Sequence, residues 1–206
     1  MLKAYQNIWL CGLAASGKTA LLRFLSNKLK GVEYLNDSLE IVEFIRKDKE
    51  EKHHKKPTPN SFILSDSEPV YYSIQQLIKK IGKNKNKKII ELSRGKDKEG
   101  MVDLSYHYLF SSLDDNLKKS SLFIYVYSPF EERLKRNQQR SILHDKISSF
   151  ESFYCPQEAM NRFFMEDDFF QAINEYCVDV FVIPNLYSLK HLQHKVRGLF
   201  FNDLTY

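Results

Sequence analysis

Long apolar segments and paired cysteines are both missing from this chain of 206 residues. No stretch approaches the roughly 20 consecutive apolar residues of a membrane-spanning helix, and residues 1–10 lack the leading charges and the long apolar core of a signal peptide. The three cysteines, Cys11, Cys155 and Cys177, are odd in number and form no C-x-x-C pair, which favours buried thiols over disulfides or a zinc site. We therefore expect a cytoplasmic protein with no membrane partner.

Positive charge is unevenly distributed along the chain, although the net charge of +5 is modest. Residues 44–60 have almost no apolar side chain after Ile45, which predicts a mobile charged loop. The segment from Lys79 to Lys88 contains six lysines in ten residues. It lacks interleaved aromatic residues that could stack on bases, so we favour a solvated turn, with nucleic-acid binding as the alternative.

With 43% hydrophobic residues, the chain can form a single domain over residues 1–206.

Residues 12–19 read GLAASGKT and match the G-x-x-x-x-G-K-[ST] pattern of a Walker A phosphate-binding loop. A short apolar strand precedes the motif and a helical pattern follows it, as phosphate binding requires. Gly12 and Gly17 allow backbone torsions and close approaches that a Cβ would block. Lys18 supplies charge for the terminal phosphates, and the Thr19 hydroxyl suits a Mg²⁺ ion. The predicted nucleotide-binding residues are Gly12, Ala14, Ala15, Ser16, Gly17, Lys18 and Thr19.

Five apolar runs alternate with helical patterns along the chain. Continuous apolar character and this alternation predict a parallel sheet covered on both faces, a three-layer α/β/α fold. The predicted strands are residues 8–11, 32–35, 88–92, 122–127 and 178–183. The predicted helices cover residues 20–29, 74–81, 110–117 and 189–199, and two more begin at residues 130 and 156.

Several polar residues stand where predicted strands end, which is where ligands collect in such sheets. Glu91 and Arg94 follow the third strand, Asp37 the second and Asn185 the fifth. Glu91 could hold a water of the Mg²⁺ shell or take a proton from an attacking hydroxyl, and a structural pair with Arg94 or Lys18 is the alternative. Asp37 suits a catalytic role and a helix N-cap equally well.

The helix after the fourth strand places Arg133, Arg136 and Arg140 on one face. Guanidinium groups can stabilise the charge that develops on a transferring phosphoryl group, although an ordinary ion-pair stripe with Glu132 gives the same pattern. Residues 141–155 carry few regular signals, which predicts a lid that excludes water from the reaction.

Together these segments resemble the P-loop kinases of the nucleoside and nucleoside monophosphate kinase type. The resemblance rests on GLAASGKT, YLND, IIELSRG, ERLKRNQQR and VFVIPN, in this order. It implies a five-stranded parallel sheet in the order 2-3-1-4-5, ATP and Mg²⁺ on the phosphate-binding loop, and a second substrate between the helices after strands two and three. It also implies that Arg136 and Arg140 close on the phosphates and that Asn185 lies near adenine.

The sequence departs from that family in details that bear on the acceptor. The loop lacks the proline and extra glycine typical of adenylate kinases, and Glu91 stands where many relatives carry Asp. A hydroxyl acceptor needs a base, which Glu91 or Asp37 can provide, whereas a phosphate acceptor needs cationic groups such as Arg94. The expected function is ATP- and Mg²⁺-dependent phosphotransfer to a small acceptor, a nucleoside or a nucleotide, with the oligomeric state left open.

Other functions account for parts of the pattern. The segment DKEG, residues 97–100, fits the D-x-x-G string of GTPases, but it stands several residues past the strand, and N-K-x-D is absent. A regulatory or assembly protein that binds nucleotide without turnover is one alternative, and a polynucleotide 5′-hydroxyl kinase that holds its strand with the lysine run is another. Asp167 and Asp168 are interpreted as an exposed acidic face, with a contact to Mg²⁺ or a lid arginine as the alternative.

Overall fold

Five parallel strands form the central sheet of the computed structural model, which describes residues 2–58, 61–144, 155–186, 192 and 194–198. These strands are β1 (Asn7–Cys11), β2 (Glu33–Asn36), β5 (Lys88–Glu91), β6 (Ser121–Tyr127) and β7 (Asp179–Pro184). Two further strands, β3 (His54–Thr58) and β4 (Ser61–Leu64), form a separate antiparallel hairpin. The sheet order is β2-β5-β1-β6-β7, which is the predicted order 2-3-1-4-5 when the hairpin strands are left out of the count.

Helices cover both faces of the sheet, as the alternating pattern predicts. Their bounds are α1 (Lys18–Lys28), α2 (Asp37–Lys47), α3 (Glu68–Gly82), α4 (Tyr106–Ser112), α5 (Asp115–Lys119), α6 (Phe130–His144), α7 (Gln157–Phe163) and α8 (Phe169–Tyr176), and a 3-10 turn spans Leu2–Ala4. None of the helices in the described ranges is both long and apolar enough to cross a membrane.

Residues 110–117 are not one helix, as their spacing suggested, but parts of α4 and α5. The backbone of Leu113 is extended, with φ −89° and ψ 131°, which ends α4. Asp114 then caps α5 by accepting a hydrogen bond from the Leu117 N–H at 2.7 Å. A local capping bond therefore overrides the helical repeat of apolar residues.

Strand β1 shows how the sheet divides the core into two layers. Trp9 and Cys11 point into a cluster with α3, α4 and α8, while Ile8 and Leu10 point into a cluster with α1. All the residues of β1 and β5 are buried, as expected for strands covered on both faces. Their carboxyl ends therefore meet at one protected edge of the sheet.

The loop expected over residues 44–60 is largely regular structure. Helix α2 continues to Lys47, and β3 begins at His54 and pairs with β4. The strand β4 buries Ile63 and Leu64 in a third apolar cluster with α2 and α7, and its pairing holds β3 in place. His54 is buried, with Nδ1 at 3.1 Å from Asp48 Oδ2. The mobility expected of this segment stays a prediction.

The predicted lid, residues 141–155, falls mostly outside the described residues. Residues 141–144 complete α6 and Cys155 precedes α7, while residues 145–154 lie outside the described ranges. The predicted last helix is described only at residues 192 and 194–198, which are helical. Both the lid and the single domain over residues 1–206 stay predictions.

Candidate functional site

The loop between β1 and α1 adopts a conformation that only glycine can take at two positions. Gly12 has φ +133°, and a Cβ there would lie 2.6 Å from the Val126 carbonyl oxygen. Gly17 has φ +109°, and a Cβ there would collide with the side-chain amide of Asn185. Ala15 also has a positive φ, 61°. The loop is therefore tightly curved and packed against the ends of β6 and β7, and its backbone N–H groups suit an anion.

Lys18, the first residue of α1, is buried and folds back over this loop. Its Nζ donates hydrogen bonds to the carbonyl oxygens of Gly12 and Leu13, each at 2.8 Å. Burial lowers the pKa of Lys18 to about 8, while the carboxylates of Glu91 and Asp37 act in the opposite direction. The structure thus holds the ammonium group next to the loop, where an anion would gain most from it.

Glu91, the last residue of β5, is tied to its neighbours through both oxygens. Its Oε1 accepts a hydrogen bond from the Thr19 hydroxyl at 2.7 Å, and its Oε2 accepts one from the Tyr34 hydroxyl at 2.9 Å. Asn36 Nδ2 in turn donates to the Tyr34 oxygen at 2.6 Å. Burial and the Glu91 charge raise the pKa of Tyr34, so its hydroxyl stays protonated and donates. The hydrogen-bond partners of Glu91 are therefore Thr19 and Tyr34. The sequence had suggested an ion pair with Arg94 or Lys18 as the alternative.

Asp37 is buried at the start of α2, where the neighbouring residue performs the capping role. Asn36 is the N-cap, since its side chain accepts the Ser38 N–H at 2.8 Å. Asp37 Oδ2 accepts the Ser93 N–H at 3.2 Å and lies 3.4 Å from Arg94 Nη1. Burial raises the pKa of Asp37, and the Arg94 charge and the Ser93 N–H partly oppose that rise. Asp37 is thus a carboxylate placed in the site rather than a helix cap.

Arg94 lies behind Asp37. Its side chain is fully buried, and none of its guanidinium nitrogens makes a hydrogen bond with the described residues. It is not among the described residues that line the central cavity. Its contact with Asp37 therefore gives it a supporting position, where its charge favours the ionised form of Asp37.

Arg136 of α6 holds the phosphate-binding loop in place through hydrogen bonds. Its guanidinium donates to Ser128 Oγ at 3.0 Å, to the Asn185 carbonyl oxygen at 3.2 Å and to the Ser16 carbonyl oxygen at 3.4 Å. Asn185 Nδ2 also donates to the Ser16 carbonyl oxygen, at 2.7 Å. Arg136 and Asn185 therefore converge on Ser16 and stabilise the curvature of the loop.

Arg133 and Arg140 have different surroundings in the structure, although the sequence places both on one helix face with Arg136. Arg133 is buried and donates to the carbonyl oxygens of Ser128 at 3.0 Å and Phe164 at 2.6 Å. Arg140 is exposed and lines the central cavity. Of these three arginines, Arg140 is the one whose charge is directed toward the site.

Tyr106 is a supporting residue that sequence reasoning did not identify. Its hydroxyl oxygen accepts the Gly12 N–H at 2.6 Å, and its ring is fully buried against Phe169, with ring centroids 4.8 Å apart. Tyr106 therefore joins the start of the loop to the core. No motif indicates this contact, because it joins residues 94 positions apart in the chain.

A cavity of about 750 Å³ brings these groups together. Residues 14–19, Glu91 and Arg140 line its polar half. Asp37 and Ser93 stand at the ends of their strands, and α2, β4 and α7 contribute the remaining wall. Its size matches a small-molecule site, and its position beyond the carboxyl ends of the strands agrees with the sequence prediction.

The other acidic residues singled out from sequence have structural partners. Asp97 binds Arg162 through two hydrogen bonds of 2.8 and 2.9 Å, and these bonds together with backbone N–H donors lower its pKa to about 2. Asp167 accepts a hydrogen bond from the Tyr125 hydroxyl at 2.6 Å. Asp168 accepts the Tyr106 N–H at 2.7 Å. Asp167 and Asp168 are therefore not simply an exposed acidic face, since they hold the segment before α8 against β6 and α4.

The lysine run from Lys79 to Lys88 is partly used within the fold. Lys80 Nζ lies 2.5 Å from Glu40 Oε1. Lys88 is buried and donates to Asn84 Oδ1 at 2.8 Å. Residues 82–86 are exposed and β5 is buried, which agrees with the interpretation of a solvated turn before a buried strand.

Comparison with known proteins supports the fold. No protein-family model and no curated protein matches the chain. A sugar kinase from a Janibacter species, crystallised without ligand, is similar with a TM-score of 0.51 at 12% identity, over 94% of this chain and 93% of its own. A shikimate kinase from Aquifex aeolicus aligns with a TM-score of 0.46 at 15% identity, over 97% of this chain and 99% of its own. The likeness to the sugar kinase structure and the parallel sheet in the order 2-3-1-4-5 together show the fold of P-loop kinases.

Proposed function

We propose that the protein is a phosphotransferase that moves the terminal phosphoryl group of ATP to a hydroxyl of a small acceptor, a nucleoside or a nucleotide. The observation that carries this proposal is the convergence of Lys18, Thr19, Glu91, Asp37 and Arg140 on one cavity. Each of these groups matches a requirement of phosphoryl transfer, which depends on positioning and charge stabilisation.

The residues present fit ATP and Mg²⁺. The glycine torsions and the buried Lys18 ammonium suit a polyphosphate. The Thr19 hydroxyl and the Glu91 carboxylate are oxygen donors 2.7 Å apart, the kind of ligand that Mg²⁺ prefers. When bound, the metal ion would neutralise charge on the phosphate oxygens. We assign Thr19 and Glu91 to hold it, Glu91 directly or through a water molecule.

Asp37 is the proposed base. Both carboxylates already accept hydrogen bonds, Glu91 from Thr19 and Tyr34 and Asp37 from Ser38 and Ser93. Glu91 is joined to Thr19, which we assign to the metal ion, whereas Asp37 lines the cavity and burial raises its pKa, as suits a proton acceptor. In the proposed step the acceptor oxygen bonds to the γ-phosphorus, the bond from that phosphorus to the bridging oxygen of ADP breaks, and the acceptor proton passes to Asp37. Lys18 and Arg140 face the charge on the transferred group.

An assay of ADP release from ATP tests the proposal. It is run with and without Mg²⁺, and the acceptors are nucleosides, nucleotides, small metabolites and 5′-hydroxyl oligonucleotides. The expected result is Mg²⁺-dependent ADP release that an acceptor stimulates. Tight ATP binding with no release would instead support the regulatory alternative. Release that only an oligonucleotide stimulates, with a steep salt dependence, would support the polynucleotide kinase.

A further inference from the structure

The two segments that lead into β2 and β5 lie side by side at the amino ends of the strands. They are residues 28–33, from the end of α1 into β2, and residues 82–88, from the end of α3 into β5. The Glu33 N–H donates to the Lys87 carbonyl oxygen at 2.9 Å, and Asn84 Nδ2 donates to Glu33 Oε2 at 3.2 Å. The cavity lies beyond the carboxyl ends of the same strands. These segments therefore form a surface at the opposite end of the sheet, here called the basic edge.

The basic edge accounts for the net charge of the whole chain. Its charged residues are Lys28, Lys30, Lys83, Lys85, Lys87, Lys88 and Glu33. Six of the 31 Lys and Arg residues and one of the 26 Asp and Glu residues lie there, which leaves 25 of each sign for the rest of the sequence. The formal net charge of +5 is thus concentrated on one surface.

The loop before β5 is organised around a buried ammonium group. Lys88 is 1% exposed. Its Nζ donates to Asn84 Oδ1 at 2.8 Å, to the Asn86 carbonyl oxygen at 2.9 Å and to the Asn84 carbonyl oxygen at 3.1 Å. These bonds fix the shape of the loop, and Lys83 and Lys85, which are both exposed, are presented from it.

Little negative charge opposes these lysines. Glu33 is the only acidic residue of the basic edge, and its carboxylate lies 3.7 Å from Lys88 Nζ. The exposed lysines of the basic edge form no ion pair with a carboxylate of the described residues; they are Lys28, Lys30, Lys83 and Lys85. Because like charges held close together repel one another, an anionic partner would relieve that repulsion.

The side chains of the basic edge suit phosphate groups better than bases or a bilayer. Every cation there is a lysine, a point charge without the planar fork with which arginine reads guanine. The two segments contain no aromatic side chain on which an unpaired base could stack. Their large apolar side chains, Leu29 and Val32, pack against the core. A bilayer would therefore meet charge without the apolar contact that stable membrane attachment also needs.

We infer that the basic edge binds the phosphate backbone of double-stranded nucleic acid, independently of its base sequence. A duplex keeps its bases stacked and presents its phosphates outward, which is what lysines without aromatic neighbours can contact. The inference goes beyond the proposed phosphotransfer and does not depend on it. Since the basic edge and the cavity lie at opposite ends of the strands, the duplex is a partner and not the phosphate acceptor.

Fluorescence anisotropy with a labelled DNA duplex of about 20 base pairs measures this binding. We expect the affinity to fall steeply as salt rises from about 50 to 200 mM, with a slope of log K against log salt of about −3 to −4, as contacts from four lysines require. An unrelated duplex sequence should bind equally well. No binding at about 50 mM salt, tighter binding of a single strand, or binding to phosphatidylserine vesicles but not to DNA would overturn the inference.

Substitution of the two exposed lysines of the loop locates the binding surface. We expect the double variant Lys83→Gln, Lys85→Gln to bind the duplex at least about tenfold more weakly at about 100 mM salt, with a salt slope smaller by about 2. The matched control Lys49→Gln, Lys55→Gln removes the same charge from exposed lysines outside the basic edge and should bind like the wild type. Equal losses in the two double variants, or no loss in the first, would overturn the assignment.

Discussion

The Thr19 hydroxyl donates a hydrogen bond of 2.7 Å to Glu91 Oε1 and thereby joins the first turn of α1 to the end of β5. This contact follows from the sheet order, because β5 lies beside β1 and α1 begins just after the loop that follows β1. Tyr34 of β2 completes the arrangement from the next strand. Three elements thus fix the oxygen atoms that we assign to the metal ion.

Glu91→Gln should lower the rate of phosphoryl transfer by about 10- to 100-fold and raise the Mg²⁺ concentration needed for half-maximal rate. The amide keeps the shape but loses the charge that a divalent cation requires. Tyr34→Phe removes only one hydrogen bond to the carboxylate, so its effect should be smaller and in the same direction. Mg²⁺ titrations of the two variants measure this, and a rate for Glu91→Gln equal to that of the wild type would make Glu91 purely structural.

Asp37→Asn should reduce kcat by at least about 100-fold, since the acceptor hydroxyl loses its base, while KM for ATP changes little. The matched control is Asp115→Asn, because the Asp115 side chain is 82% exposed and lies outside the cavity. Steady-state kinetics at saturating acceptor distinguish the two variants. A normal kcat in Asp37→Asn would exclude the proposed base.

Arg140→Ala and Arg136→Ala should have different effects despite their common helix face. Arg140 lines the cavity, so its loss should lower kcat and leave thermal stability unchanged. Arg136 donates to the carbonyl oxygens of Ser16 and Asn185, so its loss should destabilise the protein by about 1–3 kcal/mol. Thermal unfolding and kcat, measured side by side, test this division, and the reverse pattern would contradict it.

The pH dependence of ATP use should reflect Lys18. Burial lowers the pKa of Lys18 to about 8, so the charged form that attracts phosphate predominates below this pH and is lost as the pH rises through it. The value of kcat/KM for ATP, which reports the free enzyme, should therefore fall above about pH 8. Bound phosphate raises the pKa of Lys18 again, so kcat should keep its value to a higher pH than kcat/KM does. A kcat/KM that stays constant well above pH 8 would contradict this account.

The central sheet was accessible to sequence reasoning because β1, β5, β6 and β7 each contain a continuous apolar run that turn residues follow. Where the chain relies on pairing between distant segments, the pattern fails. The strand His54–Thr58, which reads HKKPT, has no large apolar side chain and is held by its pairing with β4, so the sequence predicted a loop there.

The predicted site residues are largely brought to one edge of the sheet, but their individual tasks depend on neighbours that a linear pattern does not identify. Helical spacing places Arg136 and Arg140 on one face, yet Arg136 is bound to Ser128 Oγ and to the carbonyl oxygens of Ser16 and Asn185 and does not line the cavity. The roles of Tyr34 and Tyr106 likewise arise from contacts across 57 and 94 residues.

Transfer of labelled γ-phosphate from ATP to a nucleoside, compared between the wild type and Lys18→Ala, is the most direct test of the central claim. The control is Lys30→Ala, because Lys30 is exposed beyond the end of α1. The account predicts a labelled product with the wild type and with Lys30→Ala, and at least a 100-fold lower rate with Lys18→Ala, whose fold is retained. Equal transfer by a folded Lys18→Ala protein would contradict it.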